Sequence, residues 1–259
     1  DEKDKESAFL RGGGIIAHIK AFMAIPGHLV SYWISKGIEA IYASSCALSK
    51  FAYLCVGLQT GNNAKYVRFW DEVSIEKLCL NATDYINAFA TGKKWFPYNK
   101  GGNFRRWYGN NDCVVNWYNN GQEIKNETNE SGNLAARPQN TEYYFRRSIS
   151  WSKISSGKIA FRYKPTGHIF DVAGTSLFCD DQGKLWTFLA LLNTKLVQYI
   201  LEITSPTLNY EVGQVGLLPV VEVTDTKTIE KLVEQNIDIS KHDWDSFETS
   251  WDFKKHPLI

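Results

Sequence analysis

The stretch "SISWSKISSGKIAFRYKPTGHIFDVAGTSLFC", Ser148 to Cys179, decides the fold class. Short apolar and aromatic runs are broken by Ser-Gly, Pro-Thr-Gly and Ala-Gly, residues that punctuate turns. It reads as three or four short strands. Strand periodicity sets Ser148, Ser150 and Ser152 opposite Ile149, Trp151 and Lys153. Immediately downstream, "KLWTFLALLNTKLVQYILEITSP" (Lys184 to Pro206) has helical composition and length. It predicts two helices meeting near Asn193 and stopped by Pro206. Strands followed by a helical tail imply an α+β fold: a twisted mixed or antiparallel sheet flanked by N-terminal and C-terminal helices.

Outward from this centre, "FAYLCVGLQTGNN" from Phe51 predicts a strand closing in a Thr-Gly-Asn turn. "SIEKLCL" and "ATDYINAFA" predict short helices, and "DCVVNWYNNGQEI" predicts a hairpin turning at Asn120-Gly121. "HLVSYWISKGIEAIYAS", entered from Pro26, is helix-like with a break near Gly37. Gly213 to Pro219 reads as packing, with Pro219 ending a strand. "TDTKTIEKLVEQNIDI" is amphipathic, with Asp225 or Thr226 as N-cap.

The 259 residues carry a net charge of only +1, but its distribution is uneven. Gly92 to His168 holds thirteen cations and five acids, a surplus of eight; Glu222 to Ile259 holds nine acids and five lysines, an excess of four negative charges. Such asymmetry points to a polyanionic partner. The basic block opens with "KKWFPYNKGGNFRRWYGN", Lys93 to Asn110, which contains six aromatics, five cations and no acid. It follows neither helical nor strand periodicity and reads as a Gly-rich loop. A second cluster is "YYFRRSISWSKISSGKIAFRYK", from Tyr143.

Other chemistries find little footing. The five histidines are scattered without metal-ligand spacing. No GxSxG and no P-loop occurs, and "RGGGI" lacks the order of a nucleotide fingerprint. Asp180-Asp181 and Asp243/Asp245 read as turn and cap residues. The five cysteines are odd in number, with no CxxC, which fits reduced thiols in a cytoplasm. No apolar run reaches the roughly 20 residues of a membrane span. The charged opening "DEKDKESAFLRGGG" reads as a linker or an artificial edge, making the chain a fragment.

Cations interleaved with aromatics suit nucleic acid. Lys and Arg neutralise phosphates and release counterions, Arg and Asn pair with base edges, and aromatics stack on unpaired bases. On charge and loop placement the candidate DNA contacts are Lys93, Lys94, Asn99, Lys100, Arg105, Arg106, Trp107 and Tyr108. Arg146, Arg147, Lys153 and Arg162 form a second wall. Gly57 to Asn62 reads as a structural turn rather than a phosphate cradle. Two further readings compete: a protein-interaction module using Trp244, Phe247, Trp251 and Phe253, and a carbohydrate-binding module. The clustered arginines and odd cysteines count against the latter.

Six blocks in order carry a resemblance: "IPGHLVSYWIS", "GLQTGNNAKYVRFWDEV", "KWFPYNKGGNFRRWYGN", "WSKISSGKIAFRYKPTGHIFDVAGTSLF", "LLNTKLVQYILEITSPTLNYEVGQVGLLPV" and "DWDSFETSWDFKKHPL". From Ile25 to Leu258 the chain resembles the region after the catalytic domain in adenine-specific DNA methyltransferases of bacteriophage-exclusion (BREX) systems. Its G-x-x-TG-x-N and G-x-[VI]-x-x-LP-[VI] blocks also recur in type IIG restriction–modification specificity regions. The family's NPPY motif and its glycine-bearing S-adenosylmethionine loop are absent from these 259 residues.

The resemblance therefore implies a DNA target-recognition domain over 25–221, after a linker over 1–24, with a C-terminal helical segment over 222–259 packed on it. No cofactor is expected in this chain, S-adenosylmethionine belonging to the parent's catalytic domain. The implied partners are double-stranded DNA, an upstream methyltransferase domain of the same polypeptide and other subunits of the defence system. A bacterial cytoplasmic location and no membrane association follow.

Overall fold

The computed structural model describes residues 2–12, 34–155, 157–205 and 207–259. The expected helix start at Pro26 and helix stop at Pro206 lie outside them. The chain divides into two compact units, residues 1–47 with 219–222 and residues 48–218 with 223–259. The C-terminal segment Val223–Ile259 belongs to the larger unit.

In the smaller unit, α1 (Glu2–Leu10) and α2 (Lys36–Ser44) precede β1 (Cys46–Ala47), which pairs antiparallel with β10 (Pro219–Val220). Ser35 caps α2, its Oγ accepting from the Ile38 N–H, so the helix opens two residues from the expected break near Gly37, and the earlier part of that expected helix lies outside the described residues. Pro219 opens a strand rather than ending one.

The larger unit is built on two four-stranded sheets. One has the order β2 (Tyr53–Cys55), β9 (Ser176–Phe178), β6 (Ser148–Ser150), β7 (Arg162–Lys164), all antiparallel. The other has the order β3 (Val67–Phe69), β5 (Cys113–Asn116), β4 (Trp95–Asn99), β8 (Ile169–Phe170), with β4 and β8 parallel. The α+β expectation holds, with the strands shared between two sheets rather than one. The 148–179 stretch supplies four strands, three to the first sheet and one to the second.

An aromatic core joins the strands. Phe96 of β4 meets Phe145 edge-on at 5.5 Å, Tyr144 meets Phe170 of β8 at 5.4 Å, and Phe170 meets Phe178 of β9 at 5.2 Å. Trp151, Phe161 and Tyr98 are also buried. Much of the aromatic content is therefore core, each buried ring contributing about 2–3 kcal/mol of transfer free energy.

Two local expectations fail. Trp95–Asn99 is a strand, not the start of a loop; four of its five residues are buried, so no alternation marks it. Nor is "DCVVNWYNNGQEI" a hairpin. After the short helices α3 (Asn63–Tyr66) and α4 (Tyr85–Ala90), β5 runs into α5 (Tyr118–Lys125), where Asn119, Asn120 and Gly121 all take left-handed angles. Asn and Gly tolerate that conformation. A Cβ on Gly121 would lie 2.5 Å from the Trp117 ring, so this turn seats the chain against a core aromatic instead of returning it to the sheet.

The helical tail follows its capping signals. α6 (Gln182–Leu192) ends at Asn193, and α7 (Lys195–Thr204) starts at Thr194, whose Oγ1 accepts from the Val197 N–H. The Asn193 side chain donates to Phe161 O at 2.9 Å and accepts from the Phe161 N–H, fastening the helix junction to the approach of β7. After α8 (Val212–Gly216), α9 (Thr226–Trp244) begins at the predicted cap Asp225. It lies on α6, with Trp186 Nε1 donating to Glu234 at 3.2 Å.

Candidate nucleic-acid interface

The basic loop proper is Lys100–Asp112, between β4 and β5. Gly101 and Gly102 open it at φ +82° and +111°, angles that side chains resist. Asn103 and Phe104 are exposed at its tip. Trp107 takes φ +68°, rare for a bulky residue. Its N–H donates to Phe161 O at 2.9 Å, and its carbonyl accepts from the Tyr163 N–H at 2.7 Å. The returning half of the loop is thereby bound alongside β7.

Two buried cations hold the loop from beneath. Strand period places Arg162 and Lys164 on one face of β7, and both are almost fully buried. Arg162 Nη2 donates to Ser152 Oγ at 2.8 Å and Nη1 lies 3.4 Å from Arg105 O. Ser152 Oγ in turn donates to Gly102 O at 2.7 Å. Lys164 Nζ donates to Gly109 O at 2.9 Å, to Asn110 O at 2.8 Å and to Asn111 Oδ1. Burial lowers the pKa of both, bringing Arg162 to about 10, and the nearby Asp112 carboxylate opposes the shift. His168, also buried, is pushed down to about 3 by burial and by the neighbouring Lys164.

The expected site residues separate into groups. Asn99, Tyr108 and Arg162 face inward and are closed to an external ligand, which corrects their assignment as contacts. Asn99 Nδ2 donates to Gly174 O at 2.8 Å, and Tyr108 lies under Lys241 at 5.4 Å. Lys93 and Lys94 stand at the opposite end of β4 from Lys100. Lys93 Nζ donates to Glu76 O, and Lys94 sits 5.7 Å from the Trp95 ring. Arg146 and Arg147, at the far end of β6 from Lys153, both engage Asp180. Lys100 pairs with Asp171 at 3.2 Å and Lys153 with Glu211 at 3.0 Å. The basic surplus thus does not gather on one face.

The acidic tail occupies part of the loop. Arg105 Nη1 pairs with Asp243 Oδ2 at 2.8 Å, and its guanidinium lies 4.9 Å from the Trp244 ring. Lys241 pairs with Asp245 and Asp252. A cleft of about 430 Å³ between loop and tail is lined by Lys100, Asn103, Arg105, Asp112, Trp244 and Thr249. A second cleft beside the loop, about 370 Å³, lies between the loop tip Gly102–Phe104 and the residues Ile154, Ser155, Gly157 and Lys158. Exposed Lys158 lines it, and Arg106 lies 5.5 Å from the ring of Phe104, another lining residue. Neither has a carboxylate partner among the described residues. Sequence reasoning named Arg106 but passed over Phe104, Ile154 and Lys158 as contacts, and over Ser152 and Lys164 as anchors. Only the two-residue spacing of Arg162 and Lys164 carried a signal.

Among the described residues, no helix is long and apolar enough to cross a membrane, and no group of three His, Cys, Asp or Glu side chains is placed to hold a metal. No family model matches the chain. It is 40% identical over 240 residues, 92% of its length, to the adenine-specific methyltransferase PglX of Lacticaseibacillus casei (strain Zhang). It is 35% identical over 242 residues, again 92% of its length, to the adenine-specific methyltransferase BrxX of Escherichia coli O9:H4 (strain HS). The chain spans 20% and 18% of those two proteins. It is therefore related to one region of the adenine-specific methyltransferases PglX and BrxX.

Proposed function

We propose that this chain is a DNA target-recognition region of a site-specific adenine DNA methyltransferase of the phage-exclusion type. It reads a short asymmetric site and positions the adenine, while a catalytic domain of the same polypeptide transfers the methyl group from S-adenosylmethionine. The observation that carries this is the 40% identity to a PglX methyltransferase across 92% of the chain. The cleft lined by Phe104 and Lys158, with Arg106 near the Phe104 ring, on a loop anchored by Ser152, Arg162 and Lys164, is consistent with it. Taking a base out of the stack requires an element that grips the flanking duplex, and phosphate contacts fix register while base contacts specify.

A protein-docking role for the C-terminal aromatics has less support. Trp244 is buried under the loop, the Trp251 ring lies 6.1 Å from His168, and Phe247 meets His256 at 6.2 Å.

The test is fluorescence anisotropy with duplex DNA across sodium chloride concentrations. Few phosphate contacts predict weak binding that falls at least about tenfold between about 50 and 200 mM salt. A flat salt dependence overturns the reading. In the full-length enzyme, Arg106→Glu with Lys158→Glu should abolish methylation and leave the melting temperature unchanged.

A further inference from the structure

Phe104 and Ile154 are large apolar side chains, 53% and 64% exposed, on opposite lips of the 370 Å³ cleft. Both lips are hydrogen-bonded at the base. Asn110 Nδ2 donates to Asn103 O at 2.9 Å, and Ser152 Oγ to Gly102 O at 2.7 Å, behind Phe104. Behind Ile154, the Ser155 N–H donates to Leu208 O at 3.0 Å and the Tyr210 N–H to Lys153 O at 2.7 Å. Arg162 touches both lips, through Arg105 O and Ser152 Oγ. Exposed apolar tips on anchored stems cost little ordering entropy when they meet a ligand.

The occupant follows from charge. Arg106 lies 5.5 Å from the Phe104 ring and Lys158 lines the same cleft as Ile154, neither paired with an acid among the described residues. An apolar tip with two such cations nearby matches a ligand with stackable faces held between phosphates. Resting on the DNA reading above, we propose that Phe104 is a wedge that enters an opened base step of duplex DNA, with Ile154 packing the opposite side and Arg106 and Lys158 on the flanking phosphates. Apolar wedges of this type separate base steps, and the cost of separation falls where the step is already weakened.

The test compares two fluorescent duplexes of one sequence, one fully paired and one with a single abasic position. The wedge predicts that the chain binds the abasic duplex at least about fivefold tighter, since an aromatic stack on a base is worth that much or more. Phe104→Ala removes the preference, Phe104→Trp keeps it, and Ile154→Ala reduces it. The salt slope of binding to the paired duplex stays unchanged in all three. Equal binding to both duplexes, or a preference that survives Phe104→Ala, overturns the wedge while leaving the DNA reading intact. No binding to either duplex overturns both. A dimer in sedimentation that Phe104→Ala disperses, with duplex preference unaffected, gives the lips to a second copy and overturns the wedge.

Discussion

Arg105 meets Asp243 at 2.8 Å across 138 positions of sequence, and its guanidinium also lies over Trp244. On the proposed DNA reading, a carboxylate from the acidic tail stands where a phosphate oxygen would contact Arg105. The side chains are 30% and 60% exposed, and such pairs contribute at most about 1 kcal/mol, so an incoming polyanion can displace the carboxylate. Asp243→Asn should leave the urea midpoint nearly unchanged and strengthen duplex binding at low salt several-fold. Weaker binding would show that the tail orders Arg105 rather than competing for it.

Ser152 is the shared partner of the two lips, accepting from Arg162 and donating to Gly102 O. Ser152→Ala strips an acceptor from a buried guanidinium and a donor from a loop carbonyl. The expected loss is about 1–3 kcal/mol of folding free energy, read by urea denaturation. Arg162→Met should cost a comparable amount by freeing the same hydroxyl, and the double variant should cost much less than the sum. Additive losses would show that the contact is not energetically coupled.

His168 titrates at about 3 in the folded chain because burial and Lys164 disfavour its charged form. Its unfolded value is near 6.5. Between those values the unfolded chain binds a proton that the folded chain does not, so stability falls as pH drops from about 6.5 towards 3. The slope is one proton, about 1.4 kcal/mol per pH unit. The ring bonds through Nδ1 to Pro165 O at 3.2 Å, a contact that Asn can reproduce. Urea denaturation of His168→Asn between about pH 7 and 5 should show a slope shallower by roughly one proton. An unchanged slope would assign the acid sensitivity to other groups.

Gly174 leaves no room for a side chain. A Cβ there would lie 2.0 Å from Asn99 O and 2.7 Å from its carbonyl carbon. Both are backbone atoms of β4, beside the bond from Asn99 Nδ2 to Gly174 O. Gly174→Ala should destabilise by about 3 kcal/mol or more, with loss of soluble yield at growth temperature. Near-parental thermal melting would show that the two segments separate readily.

Local signals carried well where they were self-contained. The split at Asn193-Thr194 and the cap at Asp225 are satisfied by bonds three residues away, and both appear as read. The 148–179 stretch gave its strands because Gly and Pro end them locally. The Asn-Gly signal was right about left-handed backbone and wrong about its consequence, which the ring of Trp117 decides. Trp95–Asn99 hid as a strand because burial on both faces erases alternation. For the site, spacing put Arg162 and Lys164 together, but only the fold tells which face of β7 points inward. The aromatic-basic composition was partly core and partly lip, and composition cannot separate the two.

The triple grip of Lys164 on Gly109, Asn110 and Asn111 has a consequence in time. The amine is made 53 to 55 residues after the oxygens it holds. During synthesis, the gripping surface therefore stays unset until β7 has emerged from the ribosome, and its Asp243 partner arrives later still. A nascent or truncated product ending before Lys164 lacks the fastening for its lips, so the loop takes its final shape only in the order in which the chain is made.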